Sequence, residues 1–327
     1  MPDWIGTDQL PTAARYRAMA ERETRGISAS YEAICLGIAG DAAVLARLDE
    51  LPAPKRQPNL LLGATRLLDG PTGSYPQFRD WLLATWDDLA ATMLARRTQT
   101  NEPNRCATLL PVLATLPQPL ALLEVGASAG LCLYPDRYSY RWLMGDEDVV
   151  AGMSEPQFPC AVTGPAPLPG APVQVVWRAG LDLHPLDVRS EQDVRWLEAL
   201  VWPEQLARRD RLRAAVSLVR RDPPRIVQGD LLSHLPALAA EAPPSATLVV
   251  FHSAVLAYVP PAGRVAFTAQ LRRLLAERRA AWLSNEAPGV LDGTALDTGG
   301  RSRFVLAHDG RPLALTGPHG QSLDWLT

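Results

Sequence analysis

The sequence predicts an open α/β sheet preceded by an all-helical segment. Up to residue 119 the chain has helical patterns and no convincing strand, whereas strand and helix patterns alternate after it. The run 120–125 is apolar except for Glu124, which is typical of a strand buried on both faces of a parallel sheet. Polar residues follow successive strand patterns, at the ends where open α/β sheets bind their ligands.

The helical segment is predicted as one domain, residues 1–118, and the sheet as a second, residues 119–327. Apolar residues recur near helical spacing in four segments separated by Gly or Pro, at 12–25, 28–40, 41–51 and 59–68. The longest helix is predicted over 78–97. A further helix, 106–116, is predicted to run into the first strand.

The second domain is predicted to alternate strands and helices. Its strands are expected at 120–125, 138–142, 173–177, 225–228, 247–251 and 281–284, with a closing antiparallel pair at 304–307 and 313–315. Its helices are expected at 131–137, 191–200, 204–221, 231–240 and 261–279. The strand 138–142 alternates like an exposed one, and the Gly- and Pro-rich residues 143–172 are predicted as an insertion or long loop.

Composition excludes several classes of function. The net charge of the 327 residues is −3, so no broad basic field favours nucleic acid as a partner. The four cysteines form no CxxC pair and no His follows at metal-ligand spacing, so no metal site is predicted. No apolar run is long enough to span a bilayer and no secretory signal is visible, so no membrane partner and a cytoplasmic location are expected.

The loop after the first strand, Gly126-Ala127-Ser128-Ala129-Gly130, contains only small residues. Small residues let the backbone turn sharply and let a ligand lie against main-chain N–H groups where a helix begins. A dinucleotide fingerprint would need Gly also at positions 128 and 131, so the loop does not match it.

The same five residues match the Gly-x-Ser-x-Gly nucleophile elbow of α/β-hydrolases. In that alternative, Ser128 would be the nucleophile of an esterase, with Asp292 or Asp297 as third member and His319 as base. Against it, about 120 residues of helical pattern precede Ser128, where that fold places strands. No Gly-rich oxyanion segment is visible upstream.

Glu124-x-Gly126-x-Ser128-x-Gly130 resembles the first motif of the class I S-adenosylmethionine-dependent methyltransferases, with Ser in place of the middle Gly. The resemblance implies a Rossmann-like sheet, mostly parallel with C-terminal antiparallel strands. It also implies S-adenosylmethionine as cofactor, bound by the motif residues Glu124, Gly126, Ala127, Ser128 and Gly130.

Further cofactor contacts are implied by the same resemblance. Asp182, after the second predicted parallel strand, would hold the ribose hydroxyls, with Asp187 as a rival. Asp230, after the third, would meet the adenine amino group. Carboxylates suit both positions because they accept hydrogen bonds from hydroxyls and from N–H groups. The alternative is that Asp182 and Asp230 only cap the helices that follow them.

Candidate residues for transfer follow the next strands. His252 comes directly after the strand 247–251, so it is predicted to border the cofactor and to act as a general base where the acceptor must lose a proton. Tyr258 and Glu286 are predicted to orient the acceptor. The alternative for His252 is a buried side chain bonded to the backbone.

The polar run 98–105 precedes the sheet domain. It has two interpretations, a solvated linker that caps the next helix, or a polar wall over the pocket. In the second, Asn101, Glu102 and Arg105 would face the substrate.

Residues 124–131, 182–187 and 252–256 together resemble an uncharacterised bacterial family of domain-of-unknown-function type, over nearly the whole chain. That resemblance implies no reaction. The sequence therefore predicts a methyltransferase-like enzyme acting on a small molecule, or alternatively a non-catalytic S-adenosylmethionine-binding module. It leaves the acceptor and the oligomeric state open.

Overall fold

The computed structural model describes residues 10–326 as a mixed α/β protein. Within these residues there are eleven α-helices and one eleven-stranded sheet, which is mostly parallel with some antiparallel pairs. The chain divides into two compact units. One contains the residues up to Thr100 together with Ser190–Asp210, and the other contains Asn101–Arg189 and the chain from Arg211 onward.

The first unit is helical, and its described residues contain no strand, as predicted. Side-chain caps set three of its helix starts: Ser28 accepts from the main-chain N–H of Tyr31, Asp41 from those of Ala43 and Val44, and Ser190 from that of Asp193. Its helices are α1 (Thr12–Met19, continued by a π-helical turn Ala20–Thr24), α2 (Ala29–Gly40), α3 (Ala42–Asp49), α4 (Pro58–Leu67), α5 (Tyr75–Ala84), α6 (Trp86–Ala95) and α8 (Glu191–Ala199).

The helix predicted over 78–97 is two helices, α5 and α6, which break at Thr85. The apolar positions continue at helical spacing through the break because each helix buries its own stripe, including Leu82 in α5 and Leu89 in α6. The break places the indole N–H of Trp86 3.1 Å from Glu50 Oε2. Hydrophobic periodicity alone cannot show such a break, because it records the buried face and not the backbone angle.

The second unit contains the sheet. Its strands are β1 (Leu120–Val125), β2 (Ser139–Met144), β3 (Glu147–Ala151), β4 (Gln157–Thr163), β5 (Val175–Asp182), β6 (Arg225–Gln228), β7 (Thr247–Ser253), β8 (Ala280–Glu286), β9 (Phe304–His308), β10 (Arg311–Thr316) and β11 (Ser322–Trp325). The remaining helices are α7 (Cys106–Thr115), α10 (Leu231–Ala240), α11 (Pro261–Glu277) and α9 (Leu206–Val219), whose residues up to Asp210 belong to the first unit. The strand order is β3-β2-β4-β11-β10-β9-β8-β7-β1-β5-β6.

Strand β1 lies between β5 and β7, and both neighbours are parallel to it. All six of its residues are buried, which explains its apolar sequence. After β1 the parallel strands β5 and β6 extend the sheet on one side, and β7 and β8 then extend it on the other. This reversal at β1 is a topological switch point, where open α/β sheets form their ligand crevice.

Residues 101–118, predicted in the helical domain, belong to the sheet unit instead. Residues 106–113 of α7 are buried throughout. The indole of Trp142, on β2, donates to the carbonyl of Ala107 at 2.9 Å. Because α7 packs against the sheet, the compact unit begins before it, at Asn101.

The region predicted as a long loop, 143–172, contains β3 and β4. Strand β4 alternates with Phe158, Cys160 and Val162 facing inward. The Gly and Pro residues around it hide this short alternation. The strand predicted at 138–142 is β2, but Tyr140 and Trp142 are buried and not exposed. Strand β11 was not predicted.

No single helix in residues 10–326 is long and apolar enough to cross a membrane. Helices α2 and α3, bent by 86°, reach that length and composition only when taken together.

Candidate active site at the carboxyl end of β1

The loop after β1 has left-handed backbone conformation at Gly126, Ser128 and Gly130, with φ angles of 72°, 51° and 72°. A Cβ on Gly126 would lie 2.3 Å from Val255 Cγ2, and one on Gly130 would lie 2.6 Å from Pro224 Cγ. Glycine is therefore required at both positions by backbone angle and by packing. The main-chain N–H groups of Gly126 and Ala127 donate to the carbonyl of Leu181.

No α-helix begins after this loop. The short helix predicted over 131–137 is a 3₁₀ turn, Leu131–Leu133. The main-chain N–H of Leu131 donates to Asn101 Oδ1 at 2.9 Å. The loop therefore lacks the helix N-terminus that was predicted to hold a ligand. The main-chain N–H of Leu131 is instead hydrogen-bonded to the side chain of Asn101.

Glu124 lies at the end of β1 and is only 4% exposed. Its Oε2 has no hydrogen-bond partner among the residues that the structure describes. Burial raises the pKa of this carboxyl well above its usual range; the nearby Cys132 thiol adds to the effect, and the Arg105 guanidinium opposes it. Buried side-chain polar atoms are ordinarily hydrogen-bonded, so this oxygen marks a place where a ligand or a water molecule can bind.

Asp182, at the end of β5, accepts two main-chain hydrogen bonds, from Ser128 and from His184, each at 2.8 Å. It therefore fixes the loop after β1 and is half-buried. It does not cap a following helix. Asp187 forms a fork with the guanidinium of Arg189.

Asp230 is the N-cap of α10, where it accepts from the main-chain N–H groups of Leu232 and Ser233. The capping alternative is therefore correct for Asp230. All the side-chain hydrogen bonds of the group use Oδ1. The side chain is exposed, so Oδ2 remains open to a ligand.

His252 is fully buried, and both of its ring nitrogens are hydrogen-bonded to side chains. Trp282 Nε1 lies 2.9 Å from Nε2, and Glu286 Oε1 lies 2.7 Å from Nδ1. An indole N–H can only donate, so Nε2 accepts, and the ring proton is on Nδ1 and points to Glu286. Glu286 also accepts from the main-chain N–H groups of Val255 and Leu256.

This arrangement corrects the roles predicted for His252 and Glu286. No ring nitrogen of His252 is left to take a proton from an acceptor, and Glu286 holds the segment after β7 in place. The buried-histidine alternative was right about burial, but the partners are side chains. Tyr258, in the 3₁₀ turn Leu256–Tyr258, is 60% exposed.

Residues 101–105 are not a solvated linker, because Asn101, Glu102, Asn104 and Arg105 are each at most 7% exposed. Glu102 caps the turn Pro103–Arg105 through the main-chain N–H of Asn104. Arg105 donates to the carbonyls of Ser253, at the end of β7, and Pro318. The segment thus lies against the carboxyl end of β7.

Asn104 and Trp282 were not among the predicted site residues. The Nδ2 group of Asn104 donates to the carbonyls of Pro159 and His319. The only sequence signal for Asn104 is its place in the polar run 98–105. No sequence signal marks Trp282 as the partner of His252, because the two residues are 30 positions apart in the chain.

The predicted hydrolase triad is not assembled. Ser128 Oγ is buried and has no hydrogen-bond partner within residues 10–326, so no base contacts it. Asp292 and Asp297 are exposed, and Asp297 accepts from the main-chain N–H of Gly299. The positive φ of Ser128 agrees with a strained elbow, but the helix that follows such an elbow is missing.

The described part of the chain holds no group of three or more His, Cys, Asp or Glu side chains that could bind a metal ion. Its four cysteines are all buried and free.

These features define a mixed α/β protein with a buried, partly unsatisfied polar cluster at a topological switch point. Comparison with known families assigns it further: a bacterial family described as uncharacterized, DUF2332, matches residues 13–325, and the chain belongs to that family. No curated protein matches the sequence.

Proposed function

We propose that the protein binds S-adenosylmethionine at the carboxyl ends of β1, β5 and β6 and transfers its methyl group to a small molecule. The observation that carries this proposal is the arrangement of the acids. Taken in chain order, the five parallel strands β1, β5, β6, β7 and β8 lie in the order 3-2-1-4-5 of doubly wound nucleotide-binding sheets. Glu124, Asp182 and Asp230 follow or end the first three of them.

The residues present fit an adenosyl cofactor through four side chains. Glu124 Oε2 and Ser128 Oγ are buried polar atoms that lack partners among the described residues. Asp230 has an open oxygen for the adenine amino group. Each carboxylate oxygen of Asp182 accepts one main-chain N–H. Because a carboxylate oxygen has two lone pairs, each can also accept a hydrogen bond from a ribose hydroxyl.

The bound cofactor would supply a methyl group that is already electrophilic. What remains for the protein is to align the acceptor and to exclude water. Since both nitrogens of His252 are hydrogen-bonded, we expect no proton transfer through it. The proposal therefore favours an acceptor that is nucleophilic without a base, with Tyr258 as the remaining candidate for orienting it.

A calorimetric titration with S-adenosylhomocysteine tests the cofactor. The wild-type protein is expected to bind with micromolar affinity, and Glu124→Gln to bind at least about tenfold more weakly, because a hydrogen bond to a charged group is lost. Asp148→Asn, on the far strand β3, is the matched control and should bind like the wild type. If the wild-type protein does not bind S-adenosylhomocysteine at millimolar concentration, the proposal is wrong.

A second candidate function is S-adenosylmethionine binding without transfer. It is favoured by the hydrogen bonds of His252 and Glu286, which hold β7 and β8 together and leave neither group available for acid–base chemistry. The two functions separate on one measurement, the fate of an isotope-labelled methyl group in the presence of amine and thiol acceptors. Retention of the label in intact cofactor, despite binding, would support the second.

A further inference from the structure

Two of the four cysteines lie together beside the loop after β1, and the proposed function uses neither of them. Cys106 is the first residue of α7, at the end of the segment 101–106, and Cys132 lies in the 3₁₀ turn Leu131–Leu133. The Cys106 thiol donates to the main-chain carbonyl of Cys132 at 3.5 Å, and the Cys132 thiol donates to that of Glu102 at 3.3 Å. Each thiol therefore contacts the stretch of chain that carries the other.

Further contacts fix the two stretches relative to each other. The main-chain N–H of Leu131 donates to Asn101 Oδ1 at 2.9 Å. The two thiols are themselves hydrogen-bonded, and this bond, ahead of burial, raises the pKa of Cys132 well above its usual range. Cys106 has no exposed area and Cys132 is only 4% exposed, so the close-packed interior restricts the movement of both side chains.

The other two cysteines are buried just as deeply but in different surroundings. Cys35 lies in α2, in the helical unit, and Cys160 lies on β4. Neither has any exposed area. The Cys160 thiol donates to the carbonyl of Ala161, the next residue in its own strand. These two cysteines therefore serve as internal controls for burial without a neighbouring thiol.

We infer that Cys106 and Cys132 are a redox-sensitive thiol pair, which a peroxide oxidises to a disulfide that ties the segment 101–106 to the turn after the β1 loop. Buried cysteines are ordinarily inert. This pair differs because a second thiol lies in contact with the first, so that an oxidised sulfur is captured before it can be reduced again. The inference concerns the protein's own thiols and holds whether or not the protein binds S-adenosylmethionine.

The oxidation proceeds in two steps. The thiolate of one cysteine attacks hydrogen peroxide; the O–O bond breaks, hydroxide leaves and the sulfur becomes a sulfenic acid. The second thiol then attacks that sulfur, the S–S bond forms and water leaves. In sum, two thiols and one peroxide give one disulfide and two waters. Because the raised pKa of Cys132 keeps its thiolate scarce, we expect the reaction to take minutes to hours.

The disulfide would act on one side of the candidate site. The turn that contains Cys132 directly follows Gly130, the last glycine of the loop after β1. Burial and, after it, the Cys132 thiol raise the pKa of the Glu124 carboxyl. Oxidation removes that thiol proton and joins the turn covalently to the segment 101–106. The oxidised protein therefore has a stiffer loop exit and a changed neighbour for Glu124.

Peptide mapping of the full-length protein tests the pair. Trypsin cuts after Arg105 and Arg137 and leaves both cysteines on one peptide, 106–137, which has no internal Lys or Arg. The folded protein is treated with hydrogen peroxide, unfolded in urea with iodoacetamide, and digested. We expect this peptide to lose the mass of two hydrogen atoms and to take no alkyl group, whereas after reduction it should take two. Cys35 and Cys160 should remain alkylated.

Two variants and a second measurement complete the test. Cys106→Ala should show one alkylated thiol on the same peptide and no disulfide, and Cys35→Ala, the matched control at an equally buried position, should still form it. Hydrogen exchange of the Leu131 main-chain N–H should be at least about tenfold slower in the oxidised than in the reduced wild type.

Three results would overturn the inference. The first is a peptide 106–137 that keeps both thiols at a peroxide concentration that oxidises the same chain in urea. The second is loss of alkylation at Cys35 and Cys160 to the same extent, because that would mean unfolding and not a specific pair. The third is unchanged exchange at Leu131 after the disulfide has formed, which would mean that the bond does not tie the two stretches together.

Discussion

The buried carboxyl of Glu124 makes the stability of the protein depend on pH in a way that Glu124→Gln removes. Burial raises its pKa above the reference value of 4.5, so the folded protein holds this proton more tightly than the unfolded chain does. Stability from this group is fully present below about pH 4.5 and is lost as the pH rises through the folded-state pKa. Glutamine keeps the shape but has no proton to lose.

The magnitude follows from linkage. Between the two pKa values the folded state binds one more proton, so the free energy of unfolding falls by about 1.4 kcal/mol per pH unit from this group alone. The free-energy difference between Glu124→Gln and wild type is therefore expected to grow in favour of the variant as the pH rises above about 4.5 toward the folded-state pKa. The Arg105 charge limits the growth, because it opposes the effect of burial.

Urea unfolding of both proteins at several pH values measures this difference. The urea midpoints are compared where the dependence of the unfolding free energy on urea concentration is the same for both proteins. Glu147→Gln, on the exposed strand β3, controls for the loss of one negative charge. A free-energy difference that stays constant across the pH range would refute the reasoning, since it would mean that Glu124 titrates alike in the folded and unfolded chain.

Three further predictions concern the groups that hold the site together. Trp282→Phe leaves the Nε2 acceptor of buried His252 without its donor and should cost about 1–3 kcal/mol in urea unfolding. Asp182→Asn keeps an acceptor for only one of the two main-chain N–H groups and should cost about 1–2 kcal/mol by the same assay. Gly126→Ala adds a Cβ 2.3 Å from Val255 at a left-handed position and should cost at least about 2 kcal/mol.

Two of these variants have a control in the same unit. Gly145→Ala shares the positive φ but has no atom within 4 Å of the added carbon, so it should show the backbone term alone. Asp187→Asn weakens a surface fork with Arg189 and should change stability by less than about 1 kcal/mol. Equal losses for Gly126→Ala and Gly145→Ala would contradict the packing argument. An unchanged Trp282→Phe would contradict the hydrogen bond assigned to His252.

The parts of the fold that could be predicted are those with local causes. Strand β1 is buried on both faces, and α10 begins at a capping Asp230, so their sequences carry the signal within a few residues. Strand β4 was missed because one of its parallel partners, β11, is distant in sequence, and the nearby Gly and Pro residues favour a loop. The break at Thr85 was missed because periodicity follows the buried face.

The contacts within the candidate site were also hidden from the sequence, because they join residues that are far apart in the chain. The sequence indicated which polar residues reach the strand ends, but not which of them bind one another. His252 was predicted as a base because it follows a strand; its partners Trp282 and Glu286 come from the next strand, and parallel pairing brings them into contact. Likewise Asp182 is used by the loop after β1, a contact across 54 residues.

These internal contacts divide the strand ends into two halves with different capacities. At β7 and β8 the polar groups satisfy one another: His252 with Glu286 and Trp282, and Asn285 with Ser253. At β1 the carboxyl of Glu124 keeps an oxygen without a described partner, and after β6 all the side-chain hydrogen bonds of Asp230 use one oxygen. The β7 and β8 half therefore stabilises the sheet. We propose that ligand recognition belongs to the β1, β5 and β6 half, where hydrogen-bonding capacity is unused. The acceptor half of the proposed reaction therefore depends on shape and exclusion of water more than on acid–base groups of the protein.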